Sequence, residues 1–250
     1  MFPRGPEAVG SASGPYAWSD DPAGCLQAPA GLVRITGSMF TVYSGASDAD
    51  NGSLVAAAGG MLGGGHYGAG AGWVRTDTGP DTLMASLSAA TTLKGDPIGF
   101  MEGVFGPSIS VGGTLGFIST DENDLNDGRM LSADVGFQFS LFPTVAIAAQ
   151  MSGIRLAGDS LRSRNVNYGF STVFDRRFRG HLSVSQGNPA VGFDLGVRDW
   201  LTVRSGSDGS SWNSGLSLEF DRFTLDWAVV LDDTDCRQLL GITAAFGGEP

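Results

Sequence analysis

The chain has 250 residues, 39 of them glycine, with 42 % hydrophobic and only 16 % charged residues. That is long enough to bury a core without a disulfide or metal and too apolar for a disordered chain, and no Gly-X-Y period points to collagen. The net charge of −11 leaves no basic footprint for a phosphate backbone, so nucleic acid is excluded as a partner.

In chain order, the opening "MFPRGPEAVG" lacks the apolar stretch of a secretory signal. An exported protein would need a leader already removed or a start further upstream. Through residue 30, Pro and Gly recur at short intervals, which predicts turns and one short helix. From Gly31 the pattern predicts strands near 31–44, 53–62, 68–77, 81–94, 97–105, 108–119, 129–141 and 144–154. Others follow near 164–175, 178–187, 189–198, 200–206, 213–221, 223–231 and 238–247. The segments number about fourteen or fifteen, several of them nine to eleven residues long.

Their alternation is lopsided. In "MLSADVGFQFSL" the residues Leu131, Ala133, Val135, Phe137, Phe139 and Leu141 share one face, opposite Met130, Ser132, Asp134, Gly136, Gln138 and Ser140. "AVGFDLGVRD" sets Val191, Phe193, Leu195 and Val197 against Gly192, Asp194, Gly196 and Arg198. "GLSLEF" and "FTLDWAVV" repeat the scheme, with Glu219 and Asp226 on the small or polar face. A soluble sandwich or propeller also alternates, with its large residues packed between sheets. Here the second face is glycine and serine with isolated charges, as a narrow lumen requires, and several strands are long enough to cross a bilayer at a tilt. No run of eighteen apolar residues offers a transmembrane helix. The expected fold is therefore all-β: a single closed antiparallel transmembrane barrel of about fourteen strands, with its bulky rows in outer-membrane lipid. Asp134, Asp194, Arg198, Arg204, Glu219 and Asp226 then face inward, where opposite charges can satisfy one another. Trp73, Trp200, Trp212, Trp227, Tyr43 and Tyr168 are candidates for interfacial belts or for ordinary sheet packing.

Signals for chemistry are weak. His66 and His181 are the only histidines and neither adjoins a nucleophile motif. The run "GGMLGGGHYGAG" lacks the Gly-Lys-Ser/Thr end of a phosphate loop, and "STDENDLNDG" lacks the register of a calcium loop. Cys25 and Cys236 match no metal spacing, and a bridge between them stays open. No catalytic residue, metal or cofactor is expected.

"RGPEAVGSASGPYAWSDDPAGCLQAPAGL", through Arg4, Gly10, Ala17, Asp20, Asp21, Pro29, Ala30, Gly31 and Leu32, resembles the amino-terminal signature of FadL-like and PorV/PorQ-like outer-membrane proteins. Ala28 stands where that signature has asparagine. "GFDLGVRDWLTVRSG", "FTLDWAVV" and "LLGITAAF" resemble the family's late strands. The resemblance implies a barrel over residues 31–250 whose residues 1–30 form a plug. Trp18, Asp20, Asp21 and Pro29 would then lie in or at the mouth of the lumen. It further implies passive transport of small hydrophobic solutes across a Gram-negative-type outer membrane or, alternatively, a PorV-like scaffold that binds secretion-system or envelope proteins.

Overall fold

The computed structural model describes residue 22 and residues 28–35, 37–47, 52–62, 65–75, 81–95, 107–121, 128–142, 144–175, 177–233 and 235–247. Fourteen antiparallel strands close on themselves. They are β1 (Ser38–Ser47), β2 (Gly52–Leu62), β3 (Gly65–Arg75), β4 (Asp81–Lys94), β5 (Ser108–Asp121), β6 (Gly128–Phe142) and β7 (Val145–Gly158). The series continues through β8 (Asn165–Asp175), β9 (Phe178–Ser185), β10 (Asn188–Arg198), β11 (Leu201–Ser207), β12 (Ser211–Phe220), β13 (Phe223–Asp232) and β14 (Cys236–Phe246). Each strand pairs with its sequence neighbours, and β1 closes on β14 from Ser38↔Phe246 to Ser47↔Arg237. Closure leaves no unpaired strand edge, the condition for β structure in hydrocarbon. No described helix is long and apolar enough to cross a membrane.

The faces fall as the alternation predicts. On β6, Val135 is 54 % exposed on the outer surface while its neighbour Asp134 is 3 % exposed inside. Phe137, Leu182, Val191, Phe193, Leu195, Leu225 and Trp227 likewise point outward. Trp212 and Phe220 stand on the outer surface towards opposite ends of β12. Eight residues separate them, about 26 Å along the strand at about 3.3 Å each, or about 20 Å of height at the usual tilt of about 40°. An apolar band of that order between aromatic girdles fits a bilayer core. At the end bearing Trp200, Phe220 and Phe223, five of the turns join strands across two residues: Leu62/Gly65, Phe142/Val145, Asp175/Phe178, Arg198/Leu201 and Phe220/Phe223. We call this the near end and its opposite the far end.

Three expectations need correction. The strand expected from Gly31 begins only at Ser38, because Pro29–Arg34 forms a 3-10 helix with Pro29 in its first turn. Pro29, Ala30, Gly31, Leu32 and Val33 are consecutively buried, so this stretch has no period of two. Tyr43 does not join an interfacial belt, being 1 % exposed inside the barrel. Arg198 leaves the inward row, because the β10–β11 register slips between Gly196 and Arg198 and delivers it exposed to the turn. The strand expected over 97–105 falls outside the described residues.

Candidate functional site: the lumen

The barrel interior has two unlike walls. On β1 to β6, Tyr43, Val55, Ala57, Met84, Ala90, Ile118 and Met130 form one buried cluster with Leu32, Val33 and Ile35 of the 3-10 stretch. The expectation of a lumen lined only by small and charged groups therefore holds for part of the interior. The 3-10 helix packs on the inner faces of β3, β4, β5 and β6, and its closest approach depends on a glycine. A methyl group at Gly112 would lie 2.5 Å from the carbonyl carbon of Pro29 and 2.6 Å from the nitrogen of Ala30, so no side chain fits there. One polar tether holds the same stretch: Arg34 Nη2 donates to Ser140 Oγ on β6 at 3.2 Å. The buried ring of His66 on β3 lies beside the backbone of Leu32 and Ile35.

The opposite wall is a ladder of polar side chains on β8 to β13. Ser171 Oγ and His181 Nδ1 are 2.9 Å apart, and His181 Nε2 is 2.9 Å from Asp194 Oδ2. Arg204 Nε lies 3.7 Å from Asp194 Oδ1, its Nη1 lies 3.4 Å from Asp226 Oδ1, and Ser217 bridges Arg204 and Asp226. Arg179 approaches Asp194 from the near side at 3.8 Å. The ladder matches each of these buried carboxylates with a guanidinium, as charge away from bulk water requires. Ser171, His181 and Asp194 are the residue types of a nucleophilic triad. Ser171, however, is 2 % exposed within the wall and leaves an ester carbonyl no approach.

A third element descends from the far end. The β7–β8 loop, residues 159–164, folds inward so that Leu161 packs against the apolar cluster and Arg162 Nη1 binds Asp134 at 3.2 Å. Asp134 Oδ1 also accepts the Gly153 N–H at 2.8 Å. Gly153 has φ +71 at a bulge where the β6–β7 register slips, and a side chain there would strike the Ser163 carbonyl. Between this loop and the far ends of β8, β9 and β10 lies a cavity of about 380 Å³ with Asp208 at its margin. Burial pushes the Asp208 carboxyl up, but hydrogen bonds from the amides and hydroxyls of Ser210 and Ser211 outweigh it and hold the pKa below the ordinary range.

Of the residues the sequence singles out, Asp194, Arg204 and Asp226 meet in one network, whereas Asp134 serves the loop. Pro29 packs against Gly112, while Arg198 and Glu219 are exposed at the near end. Trp18, Asp20, Asp21 and Cys25 fall outside the described residues, and Cys236 carries a free thiol. Arg162, Ser171 and Ser217 were missed as partners. Ser217 lies on a row whose inward direction the pattern already gave, but no facing row was read for the strand that holds Ser171, and Arg162 sits in a loop without period. Among the described residues no group of three or more His, Cys, Asp or Glu side chains could hold a metal ion.

Fold and lumen together define a closed β-barrel with an apolar exterior and an interior occupied by a short stretch of its own chain. No family model matches the sequence, and no curated protein does. Solved structures do share the fold. The Ralstonia pickettii toluene transporter TbuX is 12 % identical, with 97 % of this chain and 98 % of that one covered and a TM-score of 0.65. The monoaromatic hydrocarbon channel CymD is 10 % identical over 98 % of both chains at a TM-score of 0.70. A FadL homologue of Pseudomonas aeruginosa is 11 % identical over 98 % and 99 % at 0.61. At such identities the likeness shows the architecture alone, a closed fourteen-stranded antiparallel barrel.

Proposed function

We propose that the chain is an outer-membrane channel through which small hydrophobic solutes pass down their gradient, with the amino-terminal stretch as a displaceable plug. The observation that carries this reading is the apolar wall of the lumen, covered by Leu32, Val33 and Ile35. Displacing those three side chains uncovers an apolar strip beside a hydrogen-bonded polar ladder, a surface that an apolar solute can occupy. The described contacts of the stretch are mostly packing, reinforced by the Arg34 tether, so it can move without breaking strand pairing. The architecture shared with proteins described as a toluene transporter and a monoaromatic hydrocarbon channel supports the same solute class. The two-residue turns suit the periplasmic side, which would set the far-end cavity towards the exterior.

The test is toluene flux into liposomes holding the purified chain, compared with a variant lacking residues 1–35. Intact protein should pass toluene above the protein-free leak, and the deletion should also pass small polar solutes. No flux above leak from either protein overturns the reading.

A further inference from the structure

We propose that the β7–β8 loop is a second cover on the apolar wall, at its far end, and that Leu161 is the side chain that decides which solutes reach that wall. This rests on the transport reading and adds to it how access from the far end is controlled. The apolar wall extends beyond the place where the 3-10 stretch is seated. Met84, Ile118 and Met130 stand side by side on the inward rows of β4, β5 and β6, all buried. Ile118 lies six residues along β5 from Gly112, where Pro29 makes its close approach, or about 20 Å at about 3.3 Å per residue. Leu161 occupies the next position towards the far end. Gly128 pairs with Thr120 one inward step beyond the Ile118↔Met130 pair. A side-chain carbon on Gly128 would lie 2.6 Å from Leu161 Cδ2, so the missing side chain is what makes room for the leucine. Leu161 thereby packs against the cluster to which Ile118 and Met130 belong, and it is itself only half-buried.

The loop is pinned in this position and does not run outward into water. At its base, the Asp159 N–H donates to the Arg129 carbonyl at 2.7 Å, and Asp159 Oδ2 accepts the Arg129 N–H at 3.1 Å. Further in, Arg162 pairs with Asp134, both side chains buried. Desolvation offsets most of the attraction in such a pair, so its main effect is positional. It holds residues 159–164 inside the barrel with Leu161 over Gly128. An apolar solute arriving from the far end can replace the contacts that Leu161 makes with the wall, whereas a polar solute cannot. The bulk of the leucine then sets how wide a solute gets past it.

The experiment compares toluene and naphthalene flux through the full chain in liposomes. It also measures labelling of Met130→Cys by a membrane-impermeant thiol reagent, in a chain whose Cys25 and Cys236 are replaced by serine. Leu161→Ala truncates a half-buried side chain and leaves strand pairing intact. It should quicken the labelling by about tenfold and raise the ratio of naphthalene to toluene flux roughly threefold. Asp134→Asn combined with Arg162→Gln removes both charges together, keeps an acceptor for the Gly153 N–H, and should quicken the labelling likewise. Leu131→Ala, the same truncation on the outward row of β6, should match the parent in both readouts. Unchanged labelling in folded Leu161→Ala overturns the proposal, as does an unchanged flux ratio where toluene passes. If labelling quickens but no protein passes toluene, the transport reading falls and Leu161 stands as the cover over Met130.

Discussion

Replacing Gly112 by valine tests whether the Pro29–Arg34 stretch is seated by shape. The first added carbon alone would lie 2.5 Å from the Pro29 carbonyl carbon, at least 0.9 Å inside the 3.4–4 Å of ordinary contact, and its neighbours are backbone atoms that cannot rotate away. Overpacking of this kind costs about 1–3 kcal/mol. If the stretch relieves it by leaving, the displaced population rises roughly five- to 150-fold. The barrel should survive, because Gly112 is on the inward row and its pairing with Ala90 and Gly136 uses the backbone. Planar-bilayer conductance reads the result directly, with open time rising in Gly112→Val and limited proteolysis cutting the amino-terminal stretch faster. Gly113→Val, on the outward row where the nearest backbone atom is 3.6 Å away, is the control and should behave like the parent. Unchanged conductance and proteolysis in folded Gly112→Val would show that the stretch is not seated against β5.

Three other outcomes follow from single contacts. Asp134→Ala strands the buried Arg162 guanidinium and should cost about 3–5 kcal/mol, releasing residues 159–164. Urea unfolding in micelles gives the loss, and faster amide exchange at Gly153 locates it. Val135→Arg puts a charge at the middle of the outward row of β6 and should cost about 2–4 kcal/mol in folding into lipid vesicles, whereas a protein whose outer face met water would be nearly indifferent. The depressed Asp208 pKa makes the β11–β12 turn pH-dependent with a definite sign. Its hydrogen bonds stabilise the fold fully above the ordinary carboxylate pKa and are lost as pH falls through the lowered value. Amide exchange at Ser210 and Ser211 should therefore quicken in acid, and Asp208→Asn should remove that dependence.

What could be read from sequence was whatever repeats every two residues. On β6, β10, β12 and β13 the inward and outward rows follow directly from the order of large and small side chains, and with them the places of Asp134, Asp194 and Asp226. Three things interrupt that period and were illegible for that reason. The bulge beyond Gly196 turns Arg198 out of its row. The consecutive apolar residues of "PAGLV" pack on several sides because the stretch lies inside the barrel, so they mimic the start of a strand. Arg162 reaches Asp134 from a loop, across 28 positions, by a fold that no local pattern encodes. Tyr43 was misplaced because an inward aromatic is unexpected in a narrow lumen, and only the partner segment supplies the apolar surface that it buries.

That partner segment bears on what the channel would admit. Leu32, Val33 and Ile35 are almost wholly buried, and exposing three such side chains to water costs roughly 5–9 kcal/mol. Even if much of that is recovered by partial movement, water and polar solutes cannot supply the balance, whereas an apolar solute covers the same surface as it enters. Under the proposed transport reading, opening would be driven by the solute that passes, without a separate signal. Toluene should therefore raise the open probability in planar bilayers, and glucose, which covers no apolar surface, should leave it unchanged. An equal response to both compounds would mean that the segment does not close the lumen by burying apolar surface.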